Sequence, residues 1–128
     1  MGIFYIACAI ENPRYPKRTA HVSKLLVDTG SEYTWIAGDV LKRITRVKKD
    51  VQFQMANGQT ITRNVGFAII RVEKFITIDE VVFAQPGDLH LVGARTLEGL
   101  NVRVDSARKK LVAAGPLPVA GAPGAGAV

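Results

Sequence analysis

The sequence predicts an all-β fold, on three observations. Its runs rich in Val, Ile, Phe and Thr are short, they are broken at close intervals by Gly, Asn and Pro, and one of them alternates apolar and polar residues around an Asn-Gly pair. Taken in order, residues 1–10 are apolar, carry no basic leader and are too short to span a bilayer, so they read as a buried first strand. The stretch Asn12-Pro13-Arg14-Tyr15-Pro16-Lys17-Arg18 holds two prolines and reads as a loop. A second strand over 21–27 ends on Asp28-Thr29-Gly30, and Trp35 and Ile36 begin another that faces the core. Around Asn57-Gly58, a dipeptide that tolerates positive φ, residues 51–65 are expected to form a projecting hairpin with a tight turn. Strands at 67–72 and 75–83 flank a turn at Glu73-Lys74. A loop at 85–88, a short buried strand at 89–92, a short helix at 95–100 and a last hairpin pairing 101–104 with 109–113 complete the pattern. Residues 1–115 form the domain, and the Pro, Gly and Ala-rich tail 116–128 is expected to be disordered and idle.

Composition narrows the function. The 128 residues suit one domain, and 48% hydrophobic content supplies a core. A single cysteine, Cys8, excludes an internal disulfide framework, and with two isolated histidines it leaves no metal-ligand cluster; no metal and no cofactor are expected, and a cytoplasmic, reducing address is the default. Cys8 in its apolar strand reads as inert, and His21 and His90 as surface residues. The net charge of +6, from 17 Lys and Arg against 11 Asp and Glu, admits a nucleic-acid or acidic-membrane partner. The clusters Arg43, Arg46, Lys48, Lys49 and Arg108, Lys109, Lys110 lack the interleaved aromatics of a base-stacking platform, so they read as solvated loops with neither nucleic acid nor membrane as partner.

Chemistry concentrates in Leu25-Leu26-Val27-Asp28-Thr29-Gly30-Ser31. An apolar strand delivers the Asp28 carboxylate onto a turn in which Gly30 lets backbone amides approach it, the Thr29 hydroxyl can hold the loop, and the Ser31 hydroxyl can donate to the carboxylate. A bare Asp-Thr-Gly also serves simply to end a strand. The surrounding order decides between these readings. With Asp28-Thr29-Gly30-Ser31, a hairpin at Ala56-Asn57-Gly58-Gln59 and an apolar-apolar-glycine element at Leu91-Val92-Gly93 before a helical segment, the sequence resembles the retropepsin-like aspartic proteases over residues 3–114.

That resemblance implies a closed β-barrel subunit with a flap hairpin and one short C-terminal helix. It implies Asp28, Thr29 and Gly30 as catalytic residues, and Ser31, Met55, Ala56, Asn57, Gly58 and Gln59 on the substrate side. Gly93 would pass beneath the catalytic loop, where a side chain would collide with the Asp-Thr-Gly backbone. Retroviral members place an arginine directly after this glycine; here Ala94 stands there, and Arg95, one position later, is expected to pair with Glu32 in a shifted register. The mechanism needs two carboxylates on one water, and no other aspartate in the chain begins an Asp-Thr-Gly or Asp-Ser-Gly. The second must come from another copy, which implies a homodimer acting on a protein or peptide substrate, with an acidic to mildly acidic optimum from the shared proton. Tyr33 and Met55 are candidates for substrate contact, Met55 equally for an apolar contact that anchors the flap. The alternative function is a non-catalytic peptide-binding or dimerisation module of the same fold; a basic nucleic-acid-binding β domain has only the net charge in its favour.

Overall fold

The computed structural model describes residues 3–121. Alternation sets the first strand, β1 (Tyr5–Glu11), in which Cys8 and Ile10 are buried while Tyr5 and Ala7 face out. It is followed by β2 (Thr19–Val27), β3 (Thr34–Ala37), a one-turn helix α1 (Gly38–Leu41), β4 (Lys49–Gln54), β5 (Thr60–Val72), β6 (Phe75–Ala84), β7 (Leu91–Val92), α2 (Ala94–Gly99), β8 (Val102–Asp105) and β9 (Lys110–Ala113). The all-β class expected from the sequence is what forms. Residues 116–121 carry neither helix nor strand, and Leu117 and Val119 are exposed; the expectations for Met1, Gly2 and residues 122–128 lie outside the described residues.

Seven strands make one mixed sheet in the order β1-β2-β7-β3-β6-β5-β4, and β8 pairs with β9 separately. The closed barrel expected for the subunit is not formed. The sheet curls until the end of β1 pairs with β5 at Ala9, Ile10 and Glu11, but the rest of β1 has β2 alone beside it and β4 is left at an open edge. A barrel wall needs a continuous, evenly staggered ladder, whereas β7 supplies two residues and meets β3 through the single pair Trp35↔Leu91. The core lies inside this curl. Ile10, Leu25, Ile36, Ile70, Val81 and Val92 are sealed from solvent there, with Leu97 of α2, Leu100 at its C-cap, and Val102 and Leu111 of the last hairpin packed onto them.

Four local expectations are corrected. Residues 60–72 form one strand rather than two, because β5 changes partners at Val65, from β4 to β6, without breaking. The hairpin turn is longer than a two-residue Asn-Gly turn: Gly58 alone has positive φ, at 89°, while Asn57 uses its side chain, whose Oδ1 accepts the Gln59 N–H at 2.9 Å. Leu89 is 67% exposed, so only Leu91 and Val92 of the expected buried strand 89–92 are buried. Trp35 is half-buried, and α1, absent from the sequence reading, forms where Leu41 and Ile44 dive into the core just past β3.

Arg63 in β5 clamps the hairpin. Its Nε and Nη2 donate to the two oxygens of Asp88 at 2.7 and 2.9 Å, and both side chains are 14% exposed. The Arg63 hydrogen bonds hold the Asp88 carboxyl below its ordinary 3.8, against the opposing pull of burial, with help from the Gln85 N–H. A carboxylate depressed in this way stabilises the folded chain at every pH above its unfolded value, and the contribution drains away as pH falls through the lower folded value. Asp88→Asn is therefore expected to cost about 1–3 kcal/mol at neutral pH. The gap to wild type should close at pH values below both; urea unfolding at pH 7 and in strong acid reads both numbers, and a gap that does not change with pH would contradict the assignment.

Candidate active site

The Asp28 turn is built by strand pairing on both sides. In β2, Leu26 and Val27 run parallel to Leu91 and Val92 of β7, and the Asp28 N–H donates to the Val92 carbonyl at 3.0 Å. Because β7 is also paired antiparallel with β3, it lies between the strand that enters the turn and the strand that leaves it. The carboxylate is half-buried and both its oxygens are engaged: the Gly30 N–H donates to Oδ1 and the Ser31 hydroxyl to Oδ2, each at 3.0 Å. A Cβ at Gly30 would lie 3.2 Å from Oδ1, so a side chain there would press on this carboxylate.

Gly93 sits where the sequence places it, with a different obstacle. A Cβ there would run into the Tyr33 carbonyl and lie 2.7 Å from the Glu32 oxygen, so the collision is with the two residues after Ser31 and not with the Asp-Thr-Gly backbone. The close approach is sealed by Ala94 N–H donating to the Ser31 carbonyl at 2.6 Å and Arg95 N–H to the Glu32 carbonyl at 3.1 Å. The expected ion pair is present, Arg95 Nε to Glu32 at 3.5 Å, and it is part of a wider set. Arg95 also reaches Glu80 at 3.6 Å and lies 4.5 Å over the Tyr33 ring, and Glu80 binds Lys49 at the foot of the hairpin at 2.6 Å. Tyr33, then Glu80 and Glu32, raise the Arg95 guanidinium above its ordinary range, and the hydrogen bond that Lys49 donates to Glu80 does the same for Lys49. Arg95, Lys49 and Glu32 are largely solvated and only Glu80 is mostly covered, so the network orients the chain more than it stabilises it.

Within the single chain Thr29 gives the loop no hydrogen bond. It is exposed, makes no hydrogen bond among the described residues, and lines a cavity of about 310 Å³ with Leu97, Val102 and Arg103. The holding is done by three residues that sequence reasoning missed. Gly93 N–H donates to the Thr34 hydroxyl at 3.0 Å, Thr34 meets the Thr96 hydroxyl at 2.6 Å, and Thr96 donates to Asp79 at 2.8 Å. Since Thr96 gives its proton to Asp79, Thr34 must give its own to Thr96, and the chain runs one way from the glycine to the carboxylate. Thr34 and Thr96 are fully buried, where an unmade bond is costly. No local signal marks residues 34, 79 and 96, which are brought together by the sheet. Thr96→Val is expected to lower stability by about 1–3 kcal/mol, by leaving the Thr34 hydroxyl and Asp79 short of a partner. Urea unfolding followed by the fluorescence of Trp35, the single tryptophan, measures it; a loss within error would show that the relay does not hold the turn.

The flap residues stand apart from this group. Met55, Ala56, Asn57, Gly58 and Gln59 are exposed, and among the described residues no hydrogen bond joins them to Asp28. What links hairpin and turn is Phe53, whose ring is edge-on to Tyr33 at 5.4 Å and tilted against Trp35 at 4.9 Å. Tyr33 is thus occupied by Phe53 and Arg95, with its remaining surface half-exposed. Cys8 is buried and its thiol is pushed up to about 12 by burial, which leaves no reactive thiolate at neutral pH; His21 and His90 are exposed. Among the described residues no helix is long and apolar enough to cross a membrane. No protein-family model matches the chain, and no curated protein matches it in sequence.

Proposed function

We propose that the chain is one subunit of a retropepsin-like aspartic endopeptidase, active as a homodimer. The observation that carries this reading is the Asp28 carboxylate held on both oxygens by Gly30 and Ser31, in a turn whose backbone is pinned by β7 and whose exit at Glu32 and Tyr33 packs against Gly93. The Gly30 bond alone is the Asx turn of an ordinary strand end; the second donor, the Ser31 hydroxyl, on a carboxylate half-open to solvent is what favours an active-site reading. The resemblance in motif order and the parallel β2–β7 pairing under the turn support the same reading.

In this mechanism a twofold axis beside Asp28 brings the second carboxylate, and the pair shares one proton. The ionised member takes a proton from a water whose oxygen forms the new bond to the scissile carbonyl carbon, while the protonated member gives its proton to the carbonyl oxygen. Collapse of the tetrahedral species breaks the carbon–nitrogen bond, with the amine leaving protonated. Gly30 N–H and Ser31 hydroxyl keep the carboxylate from rotating away from the water. The two hairpins close over an extended peptide, Phe53 anchoring each to the aromatic residues past the turn.

A mixed peptide library incubated over a pH series, with and without pepstatin, tests the activity; cleavage confined to neutral or basic pH and indifferent to pepstatin would count against it. Dilution tests the shared site. Each subunit holds half of the pair, so specific activity should fall on dilution through the dimer dissociation constant. Constant specific activity at concentrations where sedimentation finds only monomer would end the homodimer model.

A further inference from the structure

Two basic loops that lie far apart in the sequence meet in the fold. Asn12 Nδ2 donates to the Ile44 carbonyl at 2.8 Å, which sets the loop carrying Arg14, Lys17 and Arg18 against the loop carrying Lys42, Arg43 and Arg46. All six cations are exposed, and among the described residues none takes part in an ion pair; of the two acids nearest in sequence, Glu11 is committed to Arg71, while Asp39, beside Lys42, is exposed and also in no ion pair. The first loop is also preformed. Asn12 Oδ1 accepts the N–H groups of both Arg14 and Tyr15 at 2.8 Å, Asn12 N–H and the Arg18 carbonyl close the loop at 2.9 Å, and Pro13 and Pro16 restrict what remains. Tyr15 stands in the middle, 49% exposed, with the Arg14 and Arg18 guanidiniums 5.5 and 5.3 Å from its ring centre. An aromatic ring is therefore interleaved with charge here, which the two clusters singled out from the sequence lack.

We propose that these two loops form a binding surface for single-stranded nucleic acid. Four of the six cations are arginines, whose planar forks match phosphate oxygens, and a tyrosine flanked by guanidinium planes is a stacking platform for unpaired bases. A duplex is a poorer fit, since neither helix is long enough to enter a groove: α1 and α2 have four and six residues. A membrane is poorer still, because in these loops only Val47 offers an exposed large apolar side chain besides Tyr15. The first loop of this surface lies at the far end of β2 from the candidate active site. It adjoins the Thr19 end of β2, and Asp28 follows the other end, nine residues on, or roughly 30 Å at the usual strand rise. The proposal therefore stands or falls independently of peptidase activity.

Fluorescence anisotropy of the full chain with a fluorescein-labelled oligo(dT) tests it. If about four phosphates are neutralised, affinity should fall roughly fifty-fold between about 50 and 200 mM salt. The variant Arg14→Gln/Arg18→Gln/Arg43→Gln/Arg46→Gln should lose tenfold or more of the low-salt affinity and most of the salt slope, with its circular dichroism unchanged. A control removing the same charge from the other end of the chain, Arg103→Gln/Arg108→Gln/Lys109→Gln/Lys110→Gln, should lose less than threefold. Tyr15→Leu should weaken binding about fivefold or more, the loss of one stacked base, while keeping the slope. The proposal is overturned if the control weakens binding as much as the loop variant, if Tyr15→Leu changes nothing, or if a duplex, a polyglutamate or phosphatidylserine vesicles compete as well as the single strand.

Discussion

Asp28→Asn should reduce peptide cleavage by roughly 10²–10⁴-fold while leaving the fold intact, because an amide of nearly the same shape can neither take the proton from water nor give one to the substrate. The asparagine Oδ1 can still accept the Gly30 N–H, so the turn keeps one of its two anchors whichever way the amide is placed. Unchanged circular dichroism and unfolding midpoint, with cleavage lost, is the expected pair of results. The same variant poisons the wild type: in a nine-to-one excess of Asp28→Asn chains, random pairing leaves only about a tenth of wild-type subunits in an intact dimer. Activity near wild type in the pure variant would make Asp28 a structural residue and remove the basis for the proposed mechanism.

The second large effect is expected at Gly93. An alanine methyl there meets the Tyr33 and Glu32 carbonyls, and backbone cannot yield as a flexible side chain does. Either the 31–33 segment is pushed outward, breaking the Ala94 to Ser31 and Arg95 to Glu32 backbone bonds, or the Gly93 N–H leaves Thr34 and the buried relay loses its first donor. Both routes cost about 1–3 kcal/mol or more and displace the residues that hold the Asp28 carboxylate. Gly93→Ala should thus lower Tm by roughly 5–15 °C and cleavage with it. The signature that separates it from Asp28→Asn is that it damages stability and activity together. A Gly93→Ala chain with unchanged Tm would show that the 32–33 backbone relaxes freely and that the glycine is not required by packing.

Chain-local features were legible because their causes are local. The alternation of Tyr5 to Glu11, the proline loop at 12–18, the Glu73-Lys74 turn and the helix after Gly93 each follow from residue types within a few positions. So did the candidate site's nucleus, where Asp28, Gly30 and Ser31 lie within four residues and their bonds are made across that same turn. The tight Asn-Gly turn failed for an equally local reason, since an Asn side chain that captures the Gln59 N–H competes with the backbone conformation the dipeptide would otherwise adopt.

By itself the sequence determined the all-β class, the strand that carries Asp28, the hairpin beyond it and the glycine that must pack close, all of which depend on periodicity, turn chemistry and adjacency. Only the tertiary structure decided that the sheet stays unclosed at β4, that β7 slots between β2 and β3, that Thr34, Thr96 and Asp79 are linked beneath Gly93, and that Asn12 brings two basic loops together. Each of these is a contact between residues 17 or more positions apart, or a choice of strand neighbour. Such contacts are set by how a curled sheet buries its apolar face, and a threonine that will be sealed beneath the Asp28 turn reads, in one dimension, like any other threonine in a strand.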